Sequence, residues 1–294
     1  MAIGNFDGLH LGHRALIQRC REKRGAGEVI AVMSFEPLPQ AFFRPEQAPA
    51  RLSTVYQKLC LLAEAEVDLV WLMRFGRELA DLTARQFVER ALVEGLNAGC
   101  VVVGEDFRFG RGREGDVATL RELGMEHGFE VSTVAAVEMG GERVSSSGIR
   151  KQLAAGDFQA AAAWLGRPFR MEGHVVRGAQ LGRKLGFPTA NLKIRAHPSP
   201  LHGVFAVFAR TKGGRWLPAV SSLGWRPAVG GDEPLLEVHF FDFEQDLYGQ
   251  RLEVQFVAKL RDELNFDSID DLVDQMNRDA AQARACLAST KTPQ

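Results

Sequence analysis

The stretch Gly4-Asn5-Phe6-Asp7-Gly8-Leu9-His10-Leu11-Gly12-His13 decides the fold of the first half of the chain. Its glycines mark a turn, and Ala15, Leu16, Ile17 and Cys20 follow at helical spacing, so a strand hands over to a helix here. N–H groups at a helix N-terminus are unpaired and partly positive, so anions settle there, and glycines admit a phosphate close to the main chain. His10 and His13 are expected to share one helical face, from which both rings donate to a departing pyrophosphate. Metal binding or plain surface exposure are the alternatives for such a pair.

Outward from this turn, Val29 to Phe35, Asp68 to Phe75, Gly99 to Gly104 and Phe129 to Val137 are short apolar runs suited to a parallel sheet buried on both faces. Helical patterns fill the gaps, led in by Ser53 and by a Thr83/Gln86 capping-box signature. The alternation predicts a Rossmann-like α/β layer fold, in which ligands bind beyond the carboxyl ends of the strands. The 4–13 turn falls at that end if Ala2 and Ile3 close the first strand. So does the loop from Gly104 to Asp116, which holds Asp106, Phe107 and Phe109. Its Gly110-Arg111-Gly112-Arg113-Glu114-Gly115 fits a dinucleotide pattern but is separated from the strand, and one arginine-glycine loop makes a poor RNA site on a neutral protein. A loop over a planar ligand suits it best. Ser145-Ser146-Ser147-Gly148-Ile149-Arg150 opens another helix, either as a second anion grip or as an ordinary serine cap.

Asp157 caps a helix that Gly166-Arg167-Pro168 stops, and the character of the chain then changes. Six strand-like runs follow without intervening helices, starting at Met171, Thr189, Val204, Trp216, Leu235 and Leu252, which predicts an antiparallel sheet or a small six-stranded β-barrel. Ser268 and Asp271 announce a C-terminal helix whose apolar stripe, Ile269, Leu272, Val273, Met276 and Ala283, is expected to pack on the barrel. The domains are therefore drawn at residues 1–167 and 168–294.

Between the first two barrel strands lies the basic, glycine-rich run Gly182-Arg183-Lys184-Leu185-Gly186-Phe187-Pro188-Thr189-Ala190-Asn191. Thr189 and Asn191, two apart, point to one side of a strand, as a polar edge or as oxygen ligands for Mg²⁺ and a phosphate. Glu237 shares its strand face with Leu235, His239 and Phe241. Partial desolvation there suits a general base, and a buried ion pair with an arginine is the structural alternative.

With 46% hydrophobic and 25% charged residues the chain reads as ordinary globular protein, and 294 residues suggest two domains. A formal net charge of −1 removes any bulk electrostatic case for nucleic-acid or membrane binding. Cys20, Cys60, Cys100 and Cys286 are too scattered for zinc or dithiol chemistry; reduced thiols, and a cytoplasmic location, are expected.

These motifs together resemble the bacterial bifunctional riboflavin kinase/FMN adenylyltransferase family over nearly the whole chain. Gly-Asn-Phe-Asp-Gly-x-His-x-Gly-His, Gly-Glu-Asp-Phe-Arg-Phe-Gly and Ser-Ser-x-x-Ile-Arg are similar to its adenylyltransferase half. Gly-Arg-x-Leu-Gly-Phe-Pro-Thr-Ala-Asn-Leu, Glu-Val-His and Asp-Leu-Tyr-Gly are similar to its kinase half. The resemblance implies that ATP phosphorylates riboflavin to FMN, and that a second ATP adenylylates FMN to FAD with release of pyrophosphate. It implies that Glu237 activates the ribityl hydroxyl, that Thr189 and Asn191 position Mg-ATP, and that Gly182, Arg183, Gly186 and Pro188 wrap the phosphates. For the second step it implies nucleotide contacts from Gly4, Asn5, Phe6, Asp7, Gly8, Gly12, Ser146 and Ser147, charge stabilisation by His10, His13 and Arg150, and flavin contacts from Asp106, Phe107 and Phe109.

Arg177 stands where many relatives carry histidine, and Ser222 and Trp225 replace an asparagine and a threonine, so kinase-side flavin contacts are expected to differ. Relatives also carry a segment ahead of the 4–13 motif. With only Met1, Ala2 and Ile3 before it, the first strand is expected to be short, the start truncated or misassigned, and the histidine loop loosened. A monofunctional riboflavin kinase and a non-catalytic flavin-binding sensor are the alternative functions.

Overall fold

The computed structural model describes residues 1–178, 182, 185–194, 198–225 and 234–293. Two compact units form, Met1–Pro49 with Ser53–Ser146, and Ala50–Leu52 with Ser147–Gln294.

In the first unit, strands β1 (Ala2–Ile3), β2 (Ala31–Glu36), β3 (Leu69–Arg74), β4 (Cys100–Gly104) and β5 (Glu130–Val134) make a parallel sheet in the order β3-β2-β1-β4-β5. Alternate residues of each strand feed two cores. Ile3, Met33, Val101 and Val103 pack with Phe87, Leu92 and Leu120 on one face, while Ala2, Val32 and Val102 pack with Ile17 and Leu62 on the other. This is why the strands read as unbroken apolar runs. Helix α1 (Leu11–Lys23) follows the 4–13 turn. After α2 (Pro39–Phe43) comes α3 (Val55–Glu64), opened by a Thr54/Gln57 capping box. Beyond α4 (Arg77–Ala80), the expected Thr83/Gln86 box opens α5 (Ala84–Phe87), which continues as a π-helical segment, Val88–Gly95. Asp116 caps α6 (Val117–His127), and a small hairpin, β6 (Glu138–Met139) with β7 (Glu142–Arg143), follows β5.

β1 is as short as expected, yet it lies at the centre of the sheet, with Ala2 opposite both Val32 and Val102. The Met1 ammonium donates to the Cys100 carbonyl at 2.6 Å, and Val102 N–H donates to the Met1 carbonyl at 2.8 Å.

The second unit holds α7 (Ser146–Ala154, apart from its first residue) and α8 (Phe158–Leu165) ahead of the barrel. Asp157 caps α8 through Ala160 N–H at 2.9 Å, and Gly166 ends it in the left-handed region at φ 70°. Phe158 stacks on Phe256 and meets Phe205 edge-on, so α8 packs on barrel strands. The compact division therefore falls after the first residue of α7, whereas the change of element type falls at the turn after α8. β8 (Arg170–Val176), β9 (Ala190–Lys193), β10 (Gly203–Thr211), β11 (Leu217–Trp225), β12 (Pro234–Phe240) and β13 (Arg251–Arg261) close into the expected antiparallel barrel, in the order β10-β11-β12-β9-β8-β13.

The C-terminal helix α9 (Ile269–Ala288) packs through Ala283 and Leu287 against Ala206, Phe208 and Phe241. The expected stripe needs correction at its start, since Ile269 is 63% exposed: only the later turns of α9 reach the barrel core. Among them sits buried Asp279, which accepts from Arg261 Nε at 2.9 Å and Nη2 at 2.7 Å. Removing one member of a buried pair strands the other's charge. Asp279→Ala is therefore expected to destabilise this unit by about 3 kcal/mol, read as a lowered urea midpoint. All four cysteines are free, as expected.

Candidate active sites

In the first unit the turn between β1 and α1 takes left-handed backbone at Phe6 (φ 47°), Gly8 (φ 80°) and Leu9 (φ 40°). Two of these are not glycine, so the loop is strained and its surroundings must hold it. Gly4 N–H donates to the Met33 carbonyl, and the Ser34 hydroxyl donates to the Asn5 carbonyl at 3.0 Å. The Asp7 carboxylate accepts from Ser53 N–H and Oγ, and Gly8 N–H donates to Ser53 Oγ. Ser146 Oγ donates to the Asp7 carbonyl at 3.0 Å. A short β1 thus leaves the loop tied rather than loosened, because the ties come from β2, the start of α3 and Ser146.

His10 stands ahead of α1 as its N-cap, not on the helix as expected; its Nδ1 accepts from His13 N–H at 3.4 Å. A neutral His10 must then carry its proton on Nε2, which leaves that nitrogen as a donor. The rings nevertheless come together, stacked 3.7 Å apart at 20°. A Cβ on Gly12 would stand 3.1 Å from His10 Cε1, so this position has little room for a side chain. His13 Nδ1 is buried and has no hydrogen-bond partner among the described residues. Burial first, then the proximity of His10 and of Lys58, holds the His13 pKa well below the usual histidine value. His13 is a neutral ring at pH 7.

The structure brings His10, His13 and Ser146 to the Gly4–Gly8 loop. Ser147 and Arg150 belong to the second unit, where Ser147 is exposed and Arg150 Nε donates to the Ala50 carbonyl.

A cavity of about 790 Å³ borders this loop at Gly4 and Asn5 and is lined by Asp106, Phe107 and Phe109. Phe107 stacks on Phe109 at 5.5 Å and 14°. Phe109 is 6% exposed and packs into the core near Phe87, so it backs Phe107 more than it faces the cavity. The Asp106 carboxylate pairs with Arg143 at 2.8 Å. Sequence reasoning missed Phe35, Phe43 and Phe75 on the same cavity, where Phe75 meets Phe35 at 5.9 Å and Phe43 at 5.7 Å. Their signal was position: Phe35 is near the carboxyl end of β2 and Phe75 follows β3, where ligands of such sheets gather.

In the barrel, Glu237 lies opposite Asn191 on one side and Ser222 on the other. Directly opposed residues share a face, so the three make one polar row. The adjacent row, Val175, Leu192, Leu236 and Leu223, is fully buried. Half-buried Glu237 therefore has polar neighbours across the strands, which corrects the apolar surroundings inferred from residues along its own strand. His239, next on that face, bonds through Nδ1 to the Pro188 carbonyl at 2.9 Å. A carbonyl only accepts, so Nδ1 carries the proton. His239 thereby ties down the turn leading into Thr189.

Asn191 is 5% exposed, and a Cβ on Gly178 would stand 2.5 Å from its Nδ2; a Cβ on Gly182 would collide with the Phe187 carbonyl and reach 3.4 Å from Thr189 Oγ1. Two bare glycines thus cradle the two polar side chains. Thr189 and Ala190 also line a cavity of about 370 Å³ with Asp246 and Tyr248, and the Arg177 guanidinium lies 5.5 Å over the Tyr248 ring. Among the described residues no group of three or more His, Cys, Asp or Glu gathers for a metal. The hydroxyl and amide oxygen of Thr189 and Asn191 fit a hard cation that keeps other oxygen ligands, as Mg²⁺ does when it arrives on nucleotide phosphates. Arg183 lies outside the described residues; Gly186 takes left-handed backbone at φ 84°.

Residues 1–148 match the FAD synthetase family model and residues 165–287 the riboflavin kinase model. The bifunctional riboflavin kinase/FMN adenylyltransferase of Escherichia coli K12 is 44% identical over 292 residues, covering 99% of this chain and 93% of that protein. The enzyme of the same description from Pseudomonas fluorescens is 46% identical over 97% of this chain and 92% of its own length. A crystal structure from Streptococcus pneumoniae, described as a macrolide-efflux protein, has a TM-score of 0.80 and 30% identity, over 96% of this chain and 93% of that one. Among the described residues no helix is long and apolar enough to cross a membrane. With both family models matched in order and such identities over nearly its whole length, the chain belongs to the family of bifunctional riboflavin kinase/FMN adenylyltransferases.

Proposed function

We propose that the two reactions of this enzyme are carried by different side-chain sets, one in each unit. Its reactions are those of the family: riboflavin and ATP give FMN and ADP, then FMN and ATP give FAD and pyrophosphate. The observation that carries the division is that each unit holds its own polar constellation, the stacked histidine pair in one and the Asn191–Glu237–Ser222 row in the other.

In the kinase step Glu237 takes the proton of the ribityl hydroxyl as its oxygen bonds the γ-phosphorus and ADP leaves. Thr189 and Asn191 hold the nucleotide phosphates, with the glycine cradle admitting them closely. Mg²⁺, when bound with ATP, neutralises charge on those phosphates. In the adenylyl step a phosphate oxygen of FMN, already anionic, attacks the α-phosphorus and needs no base. His10 through Nε2–H, neutral His13 and the N–H groups opening α1 stabilise charge on the phosphates as pyrophosphate departs. Phe107, Phe35 and Phe75 provide flat apolar surface for the isoalloxazine.

Purified protein given riboflavin and Mg-ATP is expected to show FMN first and FAD after it, followed by chromatography with time, and EDTA in place of metal is expected to stop both. FMN alone would reduce the chain to a kinase, and bound flavin with no ATP consumed would make it a sensor.

A further inference from the structure

Helix α3 presents Lys58 and Leu62 to the interior, and Lys58 is wholly buried. A buried ammonium is costly, and a hydrophobic residue of like volume would fill the place more cheaply, unless the charge is used. Lys58 Nζ donates to Glu36 Oε1 at 2.9 Å and to Ser34 Oγ at 3.2 Å. The directions along this chain are fixed by chemistry. An ammonium only donates and the Asn5 carbonyl only accepts, so the one Ser34 proton goes to Asn5, and Ser34 accepts from Lys58. The same helix is joined to the loop again at its start, where Ser53, beside the Thr54 cap, holds Asp7 and Gly8.

We infer that Lys58 is a positioning residue for adenylyl transfer, fixing the strained nucleotide loop through Ser34 and the Asn5 carbonyl while Glu36 holds its ammonium in place. The inference rests on the adenylyl role proposed above for the first unit. Neither family resemblance nor the motifs of the chain single this lysine out. Its charge reaches His13 as well: among the described residues the titratable groups acting on that ring are His10, stacked on it, and Lys58, and both lower its pKa.

The test uses the whole chain of residues 1–294, in which FMN formation by the other unit reports that the second unit is folded. Lys58→Met removes the charge at similar volume, Lys58→Arg retains it, and Ser34→Ala cuts the tie to Asn5 while leaving the ion pair with Glu36. Lys58→Met is expected to lower FAD formation about 10²-fold, the scale of a misplaced binding loop, with FMN formation retained. The acid limb of its FAD-formation profile should move up in pH, because losing a nearby cation raises the His13 pKa. Ser34→Ala should lower FAD formation about 10-fold, a loss of roughly 1.4 kcal/mol in transition-state binding, without moving that limb. Lys58→Arg should recover part of the loss and return the limb. Unchanged FAD formation in both Lys58→Met and Ser34→Ala overturns the inference, as does a loss in Lys58→Met with the acid limb unmoved and no recovery by arginine. Wild-type enzyme that makes FMN but no FAD would instead overturn the adenylyl role itself.

Discussion

His13→Ala lowers FAD formation from supplied FMN and ATP by about 10²–10³-fold, the loss typical of one preorganised donor to a developing anion, while FMN formation from riboflavin holds its rate. The ring is placed for that role by the strained Phe6–Leu9 turn, by the stack with His10 and by the helix start beneath it. His10→Ala should cost more than a donor, because its Nδ1 also caps α1 through His13 N–H. The signature separating the two is stability: the His10 variant also lowers the melting temperature of the first unit. His13 also sets a pH dependence of folding. Its folded pKa lies below the unfolded value, so between the two the unfolded chain binds more protons. Stability is then untouched by this group above about pH 6.5 and falls as the pH drops below it, until the folded ring itself protonates. Melting temperatures measured from pH 7.5 downward should fall less steeply in His13→Gln than in wild type.

Glu237→Gln lowers FMN formation by about 10²–10⁴-fold, the usual worth of a positioned general base, and leaves adenylylation of supplied FMN intact. Glutamine keeps the shape and the hydrogen-bonding reach of the side chain within its row with Asn191 and Ser222, so the fold is retained. If Glu237 only held the barrel together, the variant would melt earlier and still phosphorylate riboflavin. A normal KM for ATP with a collapsed kcat is the outcome that assigns it to proton transfer.

Most of the architecture was readable because burial on both faces, capping and turn chemistry are local signals. Gly166 and Asp157, the Thr83/Gln86 box and the strand runs lie in the chain as they lie in the structure. What lay between elements was not. Glu237 seemed to sit among apolar residues because sequence displays neighbours along a strand, whereas Asn191 and Ser222 are neighbours across strands. Ile269 matched the helical stripe but lies in a part of α9 that the barrel does not cover. Lys58 had a signal, a charge spaced four before Leu62 on a buried helix face, but its partners Ser34 and Glu36 come from strand β2. Histidine spacing foretold proximity and missed the cap, because three residues apart is equally the distance from N-cap to third helical position.

The central place of β1 has a consequence for how the enzyme is made. Its partners lie at Val32 on one side and at Val102 on the other, so β1, made before both, waits for a neighbour about a hundred residues behind it. At translation speeds of about 5–20 residues per second that delay is roughly 5–20 s. Through this interval the histidine motif cannot take its final form. Nucleotide-binding capacity in the first half is therefore gained late, once β4 stands beside β1 and Ser146 has been added to close on Asp7.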